Sequence, residues 1–301
     1  MKKRAESAVV ERSSAMRKLA VAGVVVLVLA VGLSIAVAKG VFNSPASSAN
    51  ANVVTTDRSV ITTESSPLVF EARGAGLEAV IQAAADNKYL FAFFWSSDSD
   101  QTAAMKKVFE EATAKVADRA TTVSVRVNDP AERGIVKKYD LERAPMPLVL
   151  AIAPNGAITG GFPTQFDEQQ LLDAFASPGT EKCMKALQDG KLVFLCVQND
   201  STKSNEDALR GVQDFKSDER YASATEVVVL DPCDTDEASF LGDLKIDPQT
   251  TTAVTAFLAP PGTVIAEYQG ATTKETLITA LQQANTGCGP GGCGPGGCAP
   301  K

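Results

Sequence analysis

The sequence predicts an α/β protein with two tandem domains of one fold, placed behind an N-terminal transmembrane helix. Three observations carry this prediction. From residue 67 onwards, segments with helical periodicity alternate with short strand-like segments. The order of these segments repeats after about 105 residues, which indicates an internal duplication. Residues 19–38 contain no charged residue and are long enough to cross a bilayer.

Composition excludes several classes of function. The chain has 301 residues, a net charge of −7 and no histidine. Without histidine there is no Ser-His-Asp or Cys-His catalysis, no imidazole metal site and no histidine pH switch. Because no basic tract occurs beyond the N-terminus, the sequence predicts no nucleic-acid partner.

The N-terminus predicts a membrane location. Residues 1–18 carry six Lys or Arg against two Glu, which places them in the cytoplasm. Residues 19–38 reach about 30 Å as a helix. A cleaved signal peptide is the alternative, because Ala36-Val37-Ala38 offers a cleavage site. Both interpretations place the rest of the chain outside the cytoplasm, in the periplasm or at the cell surface. We favour a retained, single-pass anchor in the cell membrane, followed by a flexible linker over residues 39–66.

The first predicted domain covers residues 67–176. A helix over "GLEAVIQAAADN", with Leu77, Val80, Ile81 and Ala84 on its core face, precedes the buried strand "YLFAFFW". An amphipathic helix, the strand "TTVSVRVNDP" and a short helix follow. "PLVLAIAPNGAITGGF" predicts a β-hairpin with an Asn-Gly turn, and "DEQQLLDAFA" predicts a closing helix.

The second predicted domain covers residues 179–285 and follows a hinge at residues 177–180. "DNKYLFAFF" is echoed by "DGKLVFLCV", "VRVNDP" by "VVVLDP" and "APNGAI" by "APPGTVI". The apolar positions of the last helix also correspond, as Leu171 and Ala174 do to Leu277 and Ala280. Matching turns and matching core positions support the duplication.

The segment "KKYDLERAPMPLVLAIAPNGAI" and the strand that ends in Trp95 resemble the thioredoxin-like superfamily. The resemblance implies a mixed sheet flanked by helices in each domain, with a functional turn where the first strand meets the next helix. It places Ser96 and Ser99 at the two cysteine positions of that family, and Met146 and Pro147 at its cis-proline.

The second domain departs further from the family pattern. Its turn reads "QNDST", and Ala253 stands where the proline is expected. The resemblance therefore implies that this domain has kept the architecture and lost the site.

The turn after Trp95 cannot perform disulfide exchange, because serine has no sulfur and no histidine is present to activate its hydroxyl. Asp98 and Ser99 are good N-caps for the following helix. We therefore predict a binding site without chemistry at Trp95, Ser96, Ser99, Met146 and Pro147. Two interpretations of Trp95 stand: an exposed anchor for a peptide, or a plug at the end of the core.

The cysteines of the second domain have several interpretations. Cys183 corresponds to Val80 in a helix and Cys196 to Phe93 in a strand, so both are predicted to point inwards. They are either free and inert or joined by a disulfide. Cys233 is predicted to be the most accessible thiol of the folded body.

The tail, residues 286–301, repeats a CGPGG unit that excludes helix and strand. Cys288, Cys293 and Cys298 could bind Cu(I) or Zn(II), exchange disulfides, cross-link neighbouring chains, or oxidise among themselves. The spacing is not the compact pattern of a structural zinc site.

Together these features favour a membrane-tethered binding or adaptor protein, with the membrane and an unidentified protein as partners, over an enzyme. The alternative is a thiol-disulfide oxidoreductase or a copper- or zinc-handling protein that works through the tail cysteines. A third hypothesis is a cell-envelope component that the tail cross-links.

Overall fold

The computed structural model of the protein describes residues 74–285. The predicted basic segment, membrane span, linker and Cys-rich tail lie outside these residues. Among the helices of residues 74–285, none has the length and hydrophobicity that crossing a bilayer requires.

Two α/β domains follow one another along the described chain. In the first domain the helices and strands are, in chain order, α1 (Ala75–Ala85), β1 (Tyr89–Trp95), α2 (Asp100–Ala114), β2 (Ala120–Arg126), α3 (Arg133–Lys138), β3 (Leu148–Ile152), β4 (Ile158–Pro163) and α4 (Glu168–Leu172). In the second they are α5 (Pro178–Gln188), β5 (Leu192–Val197), α6 (Asn205–Lys216), β6 (Thr225–Leu230), α7 (Ala238–Asp243), β7 (Val254–Ala259), β8 (Thr263–Gln269) and α8 (Lys274–Asn285).

Each domain has one mixed sheet, as predicted. The strand order is β2-β1-β3-β4 in the first sheet and β6-β5-β7-β8 in the second. β1 is parallel to β2 and antiparallel to β3, which is antiparallel to β4; the second sheet repeats these directions. Parallel neighbours need a crossover, which α2 and α6 provide. The hairpin between β3 and β4 contains the predicted Asn-Gly turn, with Gly156 at a φ of +83°.

Burial on both faces explains the continuous apolar sequence of β1. Because successive side chains of a strand point to opposite faces, Phe91 and Phe93 pack on the α2 and α4 side, and Leu90 and Phe94 pack on the α1 and α3 side. The second domain is built the same way around β5.

A pair of buried glutamates repeats between the domains. Glu132 accepts a hydrogen bond from the backbone N–H of Gly76 at 3.0 Å, and Glu237 accepts one from Gly179 at 2.7 Å. Both carboxylates lie inside the protein, where they satisfy a backbone donor in the first turn of α1 or α5. The sequence did not single out either glutamate.

One face of α1 differs from the prediction. Val80 is buried, but Ile81 is 50% exposed and Ala84 is also exposed. The buried face instead contains Gly76, Val80 and Ala83. The small or apolar residues of α1 come in runs of three, such as 79–81 and 83–85, which leave the orientation of the helix undetermined by periodicity alone.

The proposed disulfide between Cys183 and Cys196 is wrong. Both side chains are buried, as predicted, and both are free. Cys183 packs between α5 and the sheet, whereas Cys196 lies on the opposite face with Phe194 and Phe215. The sheet separates the two sulfurs, so no disulfide can form.

These two thiols are expected to resist alkylation in the folded protein. Burial raises the pKa of each thiol to about 12, so the reactive thiolate is scarce at pH 8. Mass spectrometry after a short iodoacetamide treatment should find Cys183 and Cys196 unmodified and the exposed Cys233 modified. Modification of all three at similar rates would contradict this burial, and unfolding in denaturant provides the positive control.

Candidate functional site

The predicted site residues meet at one end of the first sheet. β1 ends at Trp95, and Phe94 pairs with Leu148 at the start of β3. Trp95 and Pro147, the next residues outwards, are therefore neighbours. The turn of residues 96–99 follows Trp95 directly and leads into α2.

The turn is a well-formed helix start. The side chain of Ser99 accepts a hydrogen bond from the backbone N–H of Thr102 at 3.1 Å and is the N-cap of α2, as predicted. The Thr102 hydroxyl donates to the carbonyl of Ser97, which fixes the turn from within. Asp98 is not a cap, contrary to the prediction. It is exposed and lies 3.7 Å from the guanidinium of Arg126 at the end of β2.

Ser96 is half-buried at the first cysteine position. Its carbonyl accepts a hydrogen bond from the side-chain amide of Asn128 at 3.0 Å. Its hydroxyl has no hydrogen-bond partner within residues 74–285, so no base among these residues is bonded to it. A serine hydroxyl without a bonded base is a weak nucleophile, but it can still donate and accept hydrogen bonds.

Trp95 combines the two interpretations left open by the sequence. The indole is half-buried and packs 6.0 Å from the ring of Phe93, between ring centroids, at the edge of the core. The ammonium group of Lys106, a residue of α2, lies 5.7 Å from the centroid of the Trp95 ring. The ring therefore closes one end of the core and still has a solvent-accessible part.

Met146 and Pro147 complete this end of the sheet. Their peptide bond is cis, at the predicted position. The carbonyl of Pro147 accepts from the backbone N–H of Thr164 at 2.6 Å, and Gln101 of α2 donates to the Thr164 carbonyl at 3.1 Å. The backbone N–H and C=O of Met146 have no partner within residues 74–285.

The side chains of the site are split between the two faces of the sheet. The Trp95 ring packs on the α2 side, whereas the Met146 side chain packs with the core on the α1 and α3 side. The five predicted residues therefore form the rim of the sheet where β1 ends and β3 begins. The backbone of Met146, which has no partner within residues 74–285, lies on this rim.

The arrangement of strands and helices decides the fold. In each domain a β-α-β unit with parallel strands is followed by an antiparallel hairpin and a closing helix, with the first strand in the middle of the sheet. This is the thioredoxin fold, and it occurs twice in tandem within residues 74–285.

Solved structures with similarity to this chain include single and tandem thioredoxin domains. The Deadhead thioredoxin of Drosophila melanogaster is 18% identical, over 34% of this chain and 91% of its own, with a TM-score of 0.27. The first two thioredoxin domains of Eps1p from Saccharomyces cerevisiae are 10% identical, over 67% of this chain and 94% of theirs, with a TM-score of 0.26.

The zinc-bound form of human ERp44 is 11% identical, over 71% of this chain and 60% of its own, with a TM-score of 0.30. Because the identities and TM-scores are low, these similarities say nothing about activity. The strand order and strand directions carry the fold assignment. No protein-family model matches the sequence, and a search of curated proteins found no similar one.

The equivalent end of the second thioredoxin-like domain is closed by its own backbone. Register places Ala253 opposite the end of β5, where the first domain has Pro147. The N–H of Ala253 donates to the carbonyl of Lys203, and Lys203 donates to the carbonyl of Thr251. The carbonyl of Thr252, the counterpart of Met146, accepts from the hydroxyl of Thr250 at 2.7 Å.

The turn of the second domain also has a different shape. Residues 198–204 separate β5 from α6, whereas only residues 96–99 separate β1 from α2. The additional residues include Ser204 in the left-handed region with a φ of +64°, and its side chain forms no cap. The start of α6 is therefore displaced along the chain from the positions that match the redox turn.

Cys233 lies at this closed end and is exposed, as predicted, whereas Cys183 and Cys196 are buried. Leu230 occupies the position of Val125, so the match between "VRVNDP" and "VVVLDP" is wrong by three residues. The true counterpart of Cys233 is Asn128. The Cys233 sulfur lies 3.7 Å from the side-chain nitrogen of Asn199, the counterpart of Ser96. The correct match could have been found from the aspartate that follows each of these residues, because Asp129 and Asp234 each cap a short helix.

The described part of the chain contains no metal centre, and the cavity described below has no unpaired basic side chain. No cluster of three or more Cys, Asp or Glu side chains within residues 74–285 could hold a metal ion. An open cavity of about 590 Å³ lies between α6 and the start of α8. Its two basic side chains are already paired, Arg210 with Asp207 and Lys274 with Asp218. The three tail cysteines proposed for metal binding or thiol exchange lie outside the described residues.

Proposed function

We propose that this chain is a membrane-tethered binding protein whose first thioredoxin-like domain holds an extended peptide of a partner protein without disulfide exchange. The backbone N–H and C=O of Met146, which have no partner within residues 74–285, carry this proposal. Their counterparts at Thr252 lie in a segment that is closed from within, so the two domains differ at the very groups that would bind a peptide.

An open backbone at the end of a sheet favours an extended ligand. Peptides commonly add to such positions through main-chain hydrogen bonds, while neighbouring pockets select side chains. Here the half-buried Trp95 provides an aromatic contact, and indole is a frequent anchor in interfaces. The hydroxyl of Ser96 adds a neutral donor and acceptor, and the ion pair of Asp98 and Arg126 places two charges beside the site.

The membrane part of the proposal is supported by the sequence. The uncharged segment 19–38 would anchor the chain, and the basic residues before it would keep the N-terminus in the cytoplasm. Residues 39–66 would then hold the domains away from the bilayer. Protease added to spheroplasts, whose outer layers no longer shield a periplasmic domain, should degrade the thioredoxin-like domains and spare residues 1–18, and full protection of the domains would refute this orientation.

Peptide binding should change the fluorescence of Trp95, the only tryptophan of the chain. We expect peptides selected from a random display library on the full-length protein in lipid nanodiscs to shift its emission. A Met146→Pro variant lacks the backbone donor and should bind them about tenfold more weakly or worse, since a lost hydrogen bond is worth about 1–2 kcal/mol.

Thr252→Pro is the matched control, because it removes the equivalent N–H from the closed domain, and its affinity should equal that of the wild type. Equal affinity of the Met146→Pro variant and the wild type would contradict the proposed site. The alternative function through Cys288, Cys293 and Cys298 predicts insulin reduction that disappears when residues 286–301 are deleted. Such turnover would replace the binding proposal.

A further inference from the structure

α5 has two faces with different partners. Cys183, Ala186 and Leu187 pack into the core of the second domain. Glu181, Met184 and Gln188 follow one another at intervals of three and four residues and lie on the other side of the helix. All three of these side chains contact the first domain.

The first contact joins Tyr89, at the start of β1, both to α5 and to the connector, residues 173–177, which links α4 to α5. Its hydroxyl donates to the carboxylate of Glu181 at 2.5 Å and accepts from the backbone N–H of Ala176 at 2.9 Å. Burial, reinforced by the hydrogen bond to Glu181, raises the pKa of Tyr89 above its usual range, so the hydroxyl stays protonated. Each group therefore satisfies the other at a partly buried position.

In the second contact, the side-chain amide of Gln188 pairs with the backbone of a strand residue. The Gln188 amide accepts from the backbone N–H of Ile158 at 2.9 Å and donates to its carbonyl at 2.8 Å. Ile158 opens β4, the edge strand of the first sheet, at the point where its pairing with β3 shifts register. Gln188 thus pairs both backbone groups of an edge residue, and Met184 packs against the core beside it.

The connector between the domains is itself packed. α4 ends at Leu172 and α5 begins at Pro178, which leaves residues 173–177 between them. The ring of Phe175 lies 4.6 Å from that of Tyr89, between centroids, and the guanidinium of Arg119 lies 4.2 Å from the centre of the Phe175 ring. A segment with these contacts has little freedom to act as a hinge.

We propose that the second face of α5 locks the two thioredoxin-like domains into one rigid body. The lock acts at the start of β1, and the candidate site lies at its end, about 20 Å away for a strand of this length. The second domain therefore braces the first from the opposite end of the sheet and leaves its open rim free.

The internal duplication shows that this contact is specific to α5. In α1 the positions that match Glu181, Met184 and Gln188 are occupied by Glu78, Ile81 and Ala85, all of which are exposed. The alanine has no amide to pair with a strand, and Ile81 is 50% exposed. α1 consequently supplies matched control positions for variants of α5.

Amide hydrogen exchange of the full-length protein in nanodiscs tests the lock at single-residue resolution. The N–H of Ile158 has its partner on α5, across the interface, and the N–H of Ala176, in the segment between the domains, is held by the Tyr89 hydroxyl that also contacts α5. In the wild type both should exchange at least about 100-fold more slowly than an unstructured chain. Tyr89→Phe should accelerate Ala176 at least about tenfold, and Gln188→Ala should do the same for Ile158. The control Ile81→Ala should leave both rates unchanged.

Two results would overturn the lock. The first is exchange of Ala176 and Ile158 in the wild type at nearly the unstructured rate while the amides of β3 remain protected. The second is unchanged protection at Ile158 in Gln188→Ala. If Tyr89→Phe does not fold, the wild-type measurement and Gln188→Ala, which removes no core side chain, still decide.

Discussion

Replacing Ser96 and Ser99 by cysteine is expected to create disulfide reductase activity. Thiols at these positions would flank the start of α2, where Ser99 already caps the helix and the helix dipole stabilises a thiolate. With dithiothreitol as the reductant, insulin reduction should rise at least about tenfold over the parent, because thiolate attack replaces an inert hydroxyl. The parent for this assay carries serine at Cys233, Cys288, Cys293 and Cys298, so that neither the tail thiols nor the exposed thiol beside Asn199 contribute.

The second domain supplies the matched control for this double variant. Cysteines in place of Asn199 and Thr202 occupy the corresponding positions, but α6 begins only at Asn205. No helix start stabilises that pair, so its activity should stay at the level of the parent. If both double variants are inactive although they fold, the turn of residues 96–99 does not have the geometry of a redox turn. Equal activity of the two would show that position at the helix start is irrelevant.

Replacing Gly211 by alanine is expected to destabilise the second domain strongly. Gly211 is buried in α6, where this helix crosses the segment that leads into α8. A Cβ atom there would lie 2.2 Å from the carbonyl oxygen and 2.6 Å from the carbonyl carbon of Thr272. Backbone atoms cannot move aside as a side-chain end can, so α6 and α8 would have to separate. We expect a loss of about 3 kcal/mol, a large part of the stability of a domain of this size.

Gly242→Ala provides the comparison, since it makes the same change in α7. No atom lies within 4 Å of its Cβ position, and the residue is exposed. This variant should be as stable as the wild type or up to about 1 kcal/mol more stable, because alanine favours a helix. Urea unfolding of the full chain measures both changes. A loss of under about 1 kcal/mol for Gly211→Ala would mean that the helices separate easily.

Local pattern was sufficient to predict the strands and helices of the first domain, and the repeat extended the prediction to the second. The run "YLFAFFW" is a strand buried on both faces, and the Asn-Gly dipeptide forms the hairpin turn. Ser99 caps α2, as its position before a helical pattern predicts. In each case the determining interactions lie within a few residues of one another, so the sequence contains them in readable form.

Long-range features were mispredicted for a common reason. The orientation of α1 depends on what packs against it, and its small residues permit more than one face. Cys183 and Cys196 both point inwards, but only the sheet between them shows that they face different cores. The correspondence of Cys233 with Asn128 required the register of β6. The two copies differ in length at their turns, so the offset between matching residues changes along the chain. The register of paired strands shows which residues correspond.

The sequence by itself determined that the chain is α/β, that it is duplicated, and that residues 96–99 contain no thiol. These properties depend on residue type and spacing. Only the tertiary structure decided that the backbone of Met146 has no partner within residues 74–285, that Lys203 pairs with the corresponding segment of the second domain, and that α5 joins the two domains through Tyr89. Whether a backbone group is paired depends on which segments meet in space, and the chain acquires that information only when it folds.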